Sequence, residues 1–96
     1  MIVDVRRILL EAGEGVVPRK FERAWRISGG FIEPYDWSFE DADGEFDGAV
    51  RSFAEGGATG FIEIESEYGE FIKYDLKDGV VHVNVGALVW KYDGVL

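Results

Sequence analysis

The sequence predicts an α+β domain: an antiparallel β-sheet, built from a C-terminal three-stranded meander and an N-terminal hairpin, with one or two helices packed on one face. Two observations support this fold class. Residues 60–66, 71–76 and 80–90 alternate between apolar and polar side chains, as half-buried strands do. Residues 44–55 instead place apolar side chains at helical spacing.

Two turns fix the register of the meander. The pair Asp78-Gly79 is a two-residue hairpin turn, and residues 67–69 form a three-residue loop in which Gly69 takes a positive φ. These turns place apolar side chains opposite one another on one face, and a one-residue slip would reverse the two faces. The predicted pairs are Lys77 with Val80, Leu76 with Val81, Tyr74 with Val83, Ile72 with Val85, Ile64 with Ile72, Ile62 with Tyr74, and Glu63 with Lys73. The polar face then carries Glu63, Glu65, Lys73, Asp75, His82 and Asn84.

A helix over residues 44–55 is expected to cover the apolar face of the meander, because a one-sided sheet needs a second layer. Asp43 is the expected N-cap, acidic residues follow in the first turn, and Gly56-Gly57 ends the helix. The apolar stripe of this helix consists of Phe46, Ala49, Val50, Phe53 and Ala54.

The N-terminal third of the chain fits more than one arrangement. Residues 4–12 have apolar side chains at helical spacing, which predicts a second helix. Residues 17–28 fit a strand or a helix, and their aromatic and β-branched content favours a hairpin that turns at Gly29-Gly30. Pro34 then implies an edge strand or a bulge. The predicted second helix begins at Asp4, ends at Gly13 and has the stripe Val5, Ile8, Leu9 and Ala12.

Length and composition indicate one domain over residues 1–96, whose hydrophobic fraction of 47% is enough for a core. The chain has no cysteine, which excludes disulfides, thiolate nucleophiles and cysteine-ligated zinc. Residues 1–13 carry four charged groups among their apolar residues, unlike a secretion signal, and no segment reaches the roughly 18 apolar residues of a membrane span. We therefore expect a soluble, cytoplasmic protein without membrane contact.

The residue types argue against most enzyme chemistry, so we expect no catalytic residue and no cofactor. The single histidine, His82, is placed by the strand register opposite Asp75, which is typical of a solvated cross-strand pair. A Ser-His-Asp site would need a serine beside this histidine, and no nucleophile-elbow motif is present. Residues 56–60 lack the lysine of a phosphate-binding loop.

Charge is unevenly distributed, and this asymmetry is the strongest functional signal in the sequence. The net charge is −9, yet residues 33–70 alone carry twelve acidic groups and a single basic one, Arg51. The stretch DWSFEDADGEFDG, residues 36–48, holds six carboxylates in thirteen positions. Such a surface repels nucleic-acid backbones and attracts basic proteins or cations.

A calcium loop is an alternative explanation of the same stretch. Asp43, Glu45, Asp47 and Gly48 reproduce the first, third, fifth and sixth positions of an EF-hand loop. The pattern then fails, because Ala54 stands where the loop needs a bidentate glutamate. A capped, acidic helix start accounts for the same residues.

The aromatic residues either fill the core or contribute to a binding surface beside the acids. If the last strand runs unbroken, Trp90 and Tyr92 fall on the polar face with His82. A bulge at Gly86 would return them to the apolar face.

We therefore expect a non-enzymatic binding protein or inhibitor whose acidic segment, residues 33–70, docks onto a basic protein, such as a nuclease or another nucleic-acid-binding protein. Direct nucleic-acid binding is not expected. In size, charge and α+β make-up the chain is similar to small bacterial immunity proteins and phage-encoded inhibitors. The alternatives are an acidic domain adapted to high salt and a calcium-binding module over residues 43–55. The candidate partner-binding residues are Asp36, Trp37, Glu40, Asp41, Asp43, Glu45 and Asp47.

Overall fold

A computed structural model describes residues 2–13, 21–41, 44–86 and 91–96. Within these residues, one antiparallel sheet of eight strands carries a single α-helix on one face. The strands are β1 (Ile2–Glu11), β2 (Trp25–Ser28), β3 (Phe31–Pro34), β4 (Ser38–Glu40), β5 (Thr59–Ser66), β6 (Phe71–Lys77), β7 (Val80–Val85) and β8 (Lys91–Val95), and the helix is α1 (Glu45–Glu55). Among the described residues, no helix has the length and apolar character that a membrane crossing requires.

Strand β1 lies inside the sheet and organises it. One edge of β1 pairs with β5 along most of its length, from Val3 opposite Ser66 to Glu11 opposite Thr59. The other edge is shared, because β4 pairs with the first residues of β1 and β3 meets β1 only where Glu11 lies opposite Phe31. The strand order is β2-β3-β1-β5-β6-β7-β8, with β4 beside β1.

The prediction of a helix at residues 4–12 is wrong, because residues 4–11 belong to β1. The strand contains a β-bulge at Arg6, where its register with β5 shifts by one residue. The extra residue moves the inward side chains from Val5 before the bulge to Ile8 and Leu10 after it. Because a bulge changes the alternation in this way, the resulting interval of three residues imitates a helical stripe.

The predicted register of the meander is confirmed. Every predicted pair between β5 and β6, and between β6 and β7, occurs in the structure. In the first loop the N–H of Ser66 donates to the carbonyl of Glu70 at 2.8 Å, and Gly69 has a φ of 80°. In the second turn Asp78 and Gly79 have φ values of 54° and 78°, as a two-residue hairpin of this kind requires.

The meander is longer than predicted and is part of a larger sheet. The predicted third strand, residues 80–90, ends as β7 at Val85, and β8 returns antiparallel beside it. The C-terminal meander therefore has four strands, which β1 joins to the N-terminal hairpin. Tyr92 of β8 lies opposite Asn84 on the polar face, whereas Trp90 lies outside the described residues.

The predicted N-terminal hairpin is confirmed by β2 and β3, which turn at Gly29-Gly30. Residues 21–24 form a turn before β2, so the described part of the ambiguous segment is a turn and a strand. Residues 14–20 lie outside the described residues. Strand β3 is an inner strand in the sheet order, but Pro34 at its end is paired with Trp25 of β2 and has no described strand partner on the side of β1, so the proline stands at a local edge.

The predicted helix is confirmed as α1, whereas Asp43, its expected N-cap, lies outside the described residues. Gly44 occupies the cap position with a φ of 73° and no capping side chain. The carboxylate of Asp41 instead accepts a hydrogen bond from the backbone N–H of Phe46 at 3.0 Å. This bond satisfies one of the N–H groups that a helix leaves open at its start.

Helix α1 lies on one face of the sheet and makes aromatic contacts with strands that are far apart in the strand order, β2 and β6. Phe46 and Phe53 are buried against Trp25 of β2, at ring-centroid distances of 5.8 and 5.0 Å. Phe46 also contacts Tyr74 of β6 at 5.8 Å. Replacing either phenylalanine with alanine would cost about 3–5 kcal/mol of unfolding free energy, because a large cavity would remain.

Candidate functional site

The acidic stretch, residues 36–48, includes β4 and the first turn of α1. It begins in the bend before β4, continues through β4 and enters the helix at Glu45. The candidate residue Asp43 lies outside the described residues.

Three of the candidate residues, Glu40, Asp41 and Glu45, line one cleft at the start of α1. The cleft has a volume of about 520 Å³ and lies between the turn before β2, the end of β4 and the first turns of the helix. Its lining among the described residues is Phe21, Arg23, Ala24, Trp25, Phe39, Glu40, Asp41, Gly44, Glu45, Phe46, Gly48 and Ala49.

The floor of the cleft is aromatic and well supported. Phe39 stacks on Trp25 at 5.2 Å with an interplanar angle of 19°, and meets Phe46 edge-on at 5.6 Å. Trp25 and Phe46 are buried beneath, whereas Phe39 and Phe21 are half-buried. Because each ring is held by another ring, the floor offers apolar surface with little freedom to rearrange.

The rim of the cleft is acidic. Its described charged residues are Glu40, Asp41 and Glu45, against the single cation Arg23. Glu40 and Glu45 are exposed, and neither forms an ion pair with any residue that the structure describes. The N-terminal end of α1 favours negative charge at this position, because its unpaired N–H groups carry partial positive charge.

Other acids of the segment 33–70 are already paired with arginines of the N-terminal half. Arg26 lies 2.6 Å from Glu33, Arg6 lies 2.6 Å from Glu65, and Arg7 lies 3.6 Å from Glu63. These ion pairs neutralise part of the outer face of the sheet. The paired acids are therefore less available to another protein than Glu40 and Glu45 are.

Asp47, another candidate, faces the sheet and not the cleft rim. Its Oδ1 accepts a hydrogen bond from the hydroxyl of Tyr74 at 2.7 Å. Burial of the Tyr74 ring, the hydrogen bond to Asp47 and the negative charges of Asp47 and Asp41 together raise the pKa of this tyrosine well above its ordinary range. Asp47 therefore has a structural contact that Glu40 and Glu45 do not have.

The two remaining candidates, Asp36 and Trp37, lie in the bend that leads into β4. Asp36 Oδ1 accepts a hydrogen bond from the N–H of Ser38 at 3.2 Å, which closes the bend locally. Trp37 is 50% exposed and does not line the cleft.

The single histidine of the chain lies on the polar face of the sheet. His82 lies opposite Asp75 in the strand register, as predicted. Its Nδ1, however, lies 3.4 Å from the hydroxyl of Tyr92, while the Asp75 carboxylate accepts a hydrogen bond from Asn84 at 2.8 Å. The carboxylate therefore orients the amide and not the imidazole.

The residues that the structure describes contain no group of three or more His, Cys, Asp or Glu side chains arranged to hold a metal ion. Residues 45–55, which an EF-hand would need for most of its loop, form the regular helix α1. This finding disfavours an EF-hand geometry in the described part of that segment.

The sequence identified the acidic rim but did not identify the cleft. Phe21 and Phe39 are distant in the sequence, and nothing in their spacing indicated a shared opening with the helix start. One signal was present, because Phe39 is followed by Glu40, and Phe46 is flanked by Glu45 and Asp47. Apolar rings alternating with carboxylates on two converging elements can produce an aromatic floor with an acidic rim.

Comparison of the chain with models of known protein families, with curated proteins and with solved structures gave no match.

Proposed function

We propose that this protein is a non-enzymatic binding protein or inhibitor that docks its acidic segment, residues 33–70, onto a basic protein partner. The observation that supports the proposal is which carboxylates of this segment form ion pairs within the fold. Glu33, Glu63 and Glu65 are paired within the fold, whereas Glu40 and Glu45 are exposed beside an apolar cleft and make no ion pair with a described residue. The cleft rim is thus the part of the segment that is best suited to a partner.

The charge of the chain supports encounter with such a partner. A net charge of −9 on 96 residues attracts a basic surface over a distance of about one Debye length, roughly 8–10 Å at physiological salt. Charge of one sign accelerates association more than it adds affinity, so the apolar floor has to supply the contact. A nuclease or another nucleic-acid-binding protein presents a basic groove that matches this combination.

The test compares two variants with the same change in charge. The cleft variant is Glu40→Lys/Glu45→Lys, and the control is Glu11→Lys/Asp93→Lys, whose exposed acids lie outside the segment 33–70 and do not line the cleft. Proteins captured from nuclease-treated host extract by the wild-type chain are identified and purified. Their affinity for all three chains is then measured by calorimetry, together with inhibition of any nuclease activity.

The proposal predicts that one basic protein binds the wild type and the control within about threefold, and binds the cleft variant at least tenfold more weakly, which corresponds to about 1.4 kcal/mol. Equal loss in both variants would show that only the overall charge matters. Capture of no basic protein by the wild-type chain would contradict the proposal itself.

A further inference from the structure

We propose that the cleft at the start of α1 binds one arginine side chain of the basic partner. The guanidinium would lie between the carboxylates of Glu40 and Glu45, and the aliphatic stem would lie on Phe39. This inference rests on the proposed function, because it names the group by which the partner is anchored. It goes further by assigning a defined recognition site to the cleft.

The shape and chemistry of the cleft match a cation that has an apolar stem. Its volume of about 520 Å³ is within the range of pockets that enclose small organic groups, roughly 300–1,000 Å³. An inorganic cation would use the carboxylates but not the aromatic floor. A long basic side chain uses both, because it buries its methylene groups while its charged end stays at the rim.

Among the residues that the structure describes, the same recognition chemistry occurs in two places. Arg26 lies 5.4 Å from the ring centre of Tyr35 and 2.6 Å from Glu33. Arg7 lies 5.4 Å from the ring centre of Phe61, and 3.6 Å from Glu63.

Each arrangement consists of an arginine, an aromatic ring and a glutamate. In the cleft, Phe39 provides the ring and Glu40 and Glu45 provide the carboxylates. The single basic residue of the described lining, Arg23, is not within ion-pair distance of either glutamate.

Arginine fits the cleft better than lysine. A planar guanidinium can donate to carboxylates on two elements at once and can lie flat on a ring, and it is less strongly hydrated than an ammonium group. An anchor residue of this kind typically sits at the centre of a protein interface.

The test uses three short peptides on the complete ¹⁵N-labelled chain: acetyl-Gly-Arg-Gly-amide, its lysine analogue and its citrulline analogue. Citrulline has the shape of arginine without the charge. We expect the arginine peptide to shift the backbone amide signals of residues 39–41 and 44–49 in a saturable way. We expect binding at least threefold weaker for the lysine peptide and no saturation for the citrulline peptide.

Two variants locate the binding. Glu40→Gln/Glu45→Gln is expected to weaken the arginine peptide at least fivefold, whereas the matched control Glu55→Gln/Glu70→Gln leaves it unchanged. Phe39→Leu is expected to weaken it with both glutamates in place, and the melting temperature of each variant verifies folding. Equal shifts with citrulline, or equal affinity of the cleft variant and the control, would overturn the arginine assignment.

Failure of this inference is separable from failure of the proposed function. If a basic partner is lost on Glu40→Lys/Glu45→Lys but binds Phe39→Leu normally, and the arginine peptide does not bind, docking stands and the arginine anchor is wrong. If the peptide binds as described but the chain captures no basic protein, the cleft is a site for guanidinium groups and the docking function is wrong.

Discussion

The hydroxyl of Tyr74 donates a hydrogen bond to Asp47 across 2.7 Å, and this bond links the sheet to the first turn of α1. Tyr74 is only 4% exposed, whereas Asp47 is half-buried. The two partners therefore differ in what they lose when the bond is broken. Water can reach the carboxylate, but it reaches the tyrosine hydroxyl poorly.

Asp47→Ala should destabilise the fold more than Tyr74→Phe does. The alanine variant leaves a buried hydroxyl without its acceptor, at a cost of about 1–3 kcal/mol, whereas the phenylalanine variant removes the hydroxyl and should cost about 1 kcal/mol. Urea unfolding followed by tryptophan fluorescence measures both free energies. If Tyr74→Phe lowered the unfolding free energy more than Asp47→Ala did, the Asp47 carboxylate, and not the Tyr74 hydroxyl, would be the group that depends on the bond.

The same tyrosine should make the fold sensitive to high pH. Its pKa in the folded state is raised above the ordinary value of about 10, first by burial and then by Asp47. The folded state therefore holds the phenolic proton more tightly than the unfolded chain does. Its stabilising contribution is complete below about pH 10, and it decreases by up to 1.4 kcal/mol per pH unit above that value.

Melting temperatures between pH 8 and about 11.5 should show this loss in the wild type and a shallower loss in Tyr74→Phe. The matched control is Tyr68→Phe, whose ring is 75% exposed and which should follow the wild-type curve. Parallel curves for the wild type and Tyr74→Phe would contradict the prediction.

Gly60 should not tolerate a side chain. It lies in β5 with a φ of 131°, and an added Cβ would overlap with the carbonyl oxygen of Leu9 on the neighbouring strand. Because the obstacle is backbone, Gly60→Ala should cost at least about 3 kcal/mol of unfolding free energy.

The contrasting substitution is Gly48→Ala in the second turn of α1. Its Cβ would meet no atom within 4 Å, and alanine favours the helix by about 0.5–1 kcal/mol. Thermal and urea unfolding of the two variants should therefore move in opposite directions. A small effect of Gly60→Ala would show that β1 and β5 can separate locally at this position.

Calcium and salt should have little effect on the melting temperature, which separates docking from its two alternatives. Because residues 45–55 form a helix, we expect no calcium-specific rise relative to magnesium or chelator. We also expect a cooperative transition at low salt. A rise of several degrees that Asp43→Ala abolishes would establish a calcium site, and folding only in molar KCl would establish salt adaptation.

The sequence predicted best where turn chemistry and alternation agreed. Asp78-Gly79 and Gly69 determined the register from β5 to β7, because a shift by one residue would have exposed the apolar face. Helix α1 was predictable because its apolar stripe ends just before the pair Gly56-Gly57, which ends the helix. The helix predicted at residues 4–12 failed because a bulge at Arg6 cannot be distinguished from helical spacing in a single sequence.

The sequence predicted the acidic residues of the site but not the cleft beside them. Charge is a property of composition, so Glu40, Asp41 and Glu45 could be selected without a fold. The neighbourhood of Phe39 depends on pairing between β4 and β1, which joins residues distant in the chain. Asp47 was assigned to the same surface, and only the position of Tyr74 directs it elsewhere.

The place of β1 inside the sheet also determines when this chain can fold during synthesis. Val3 pairs with Ser66 and Leu10 pairs with Gly60, so β1 cannot form these pairs until β5 has been synthesised. Strand β1 therefore emerges from the ribosome long before its main partner. Closing loops of roughly fifty to sixty residues is entropically costly, and non-local sheets of this kind fold in milliseconds to seconds. Until β5 is available, the apolar side of β1 stays exposed, and a chaperone has its best opportunity to bind the nascent chain.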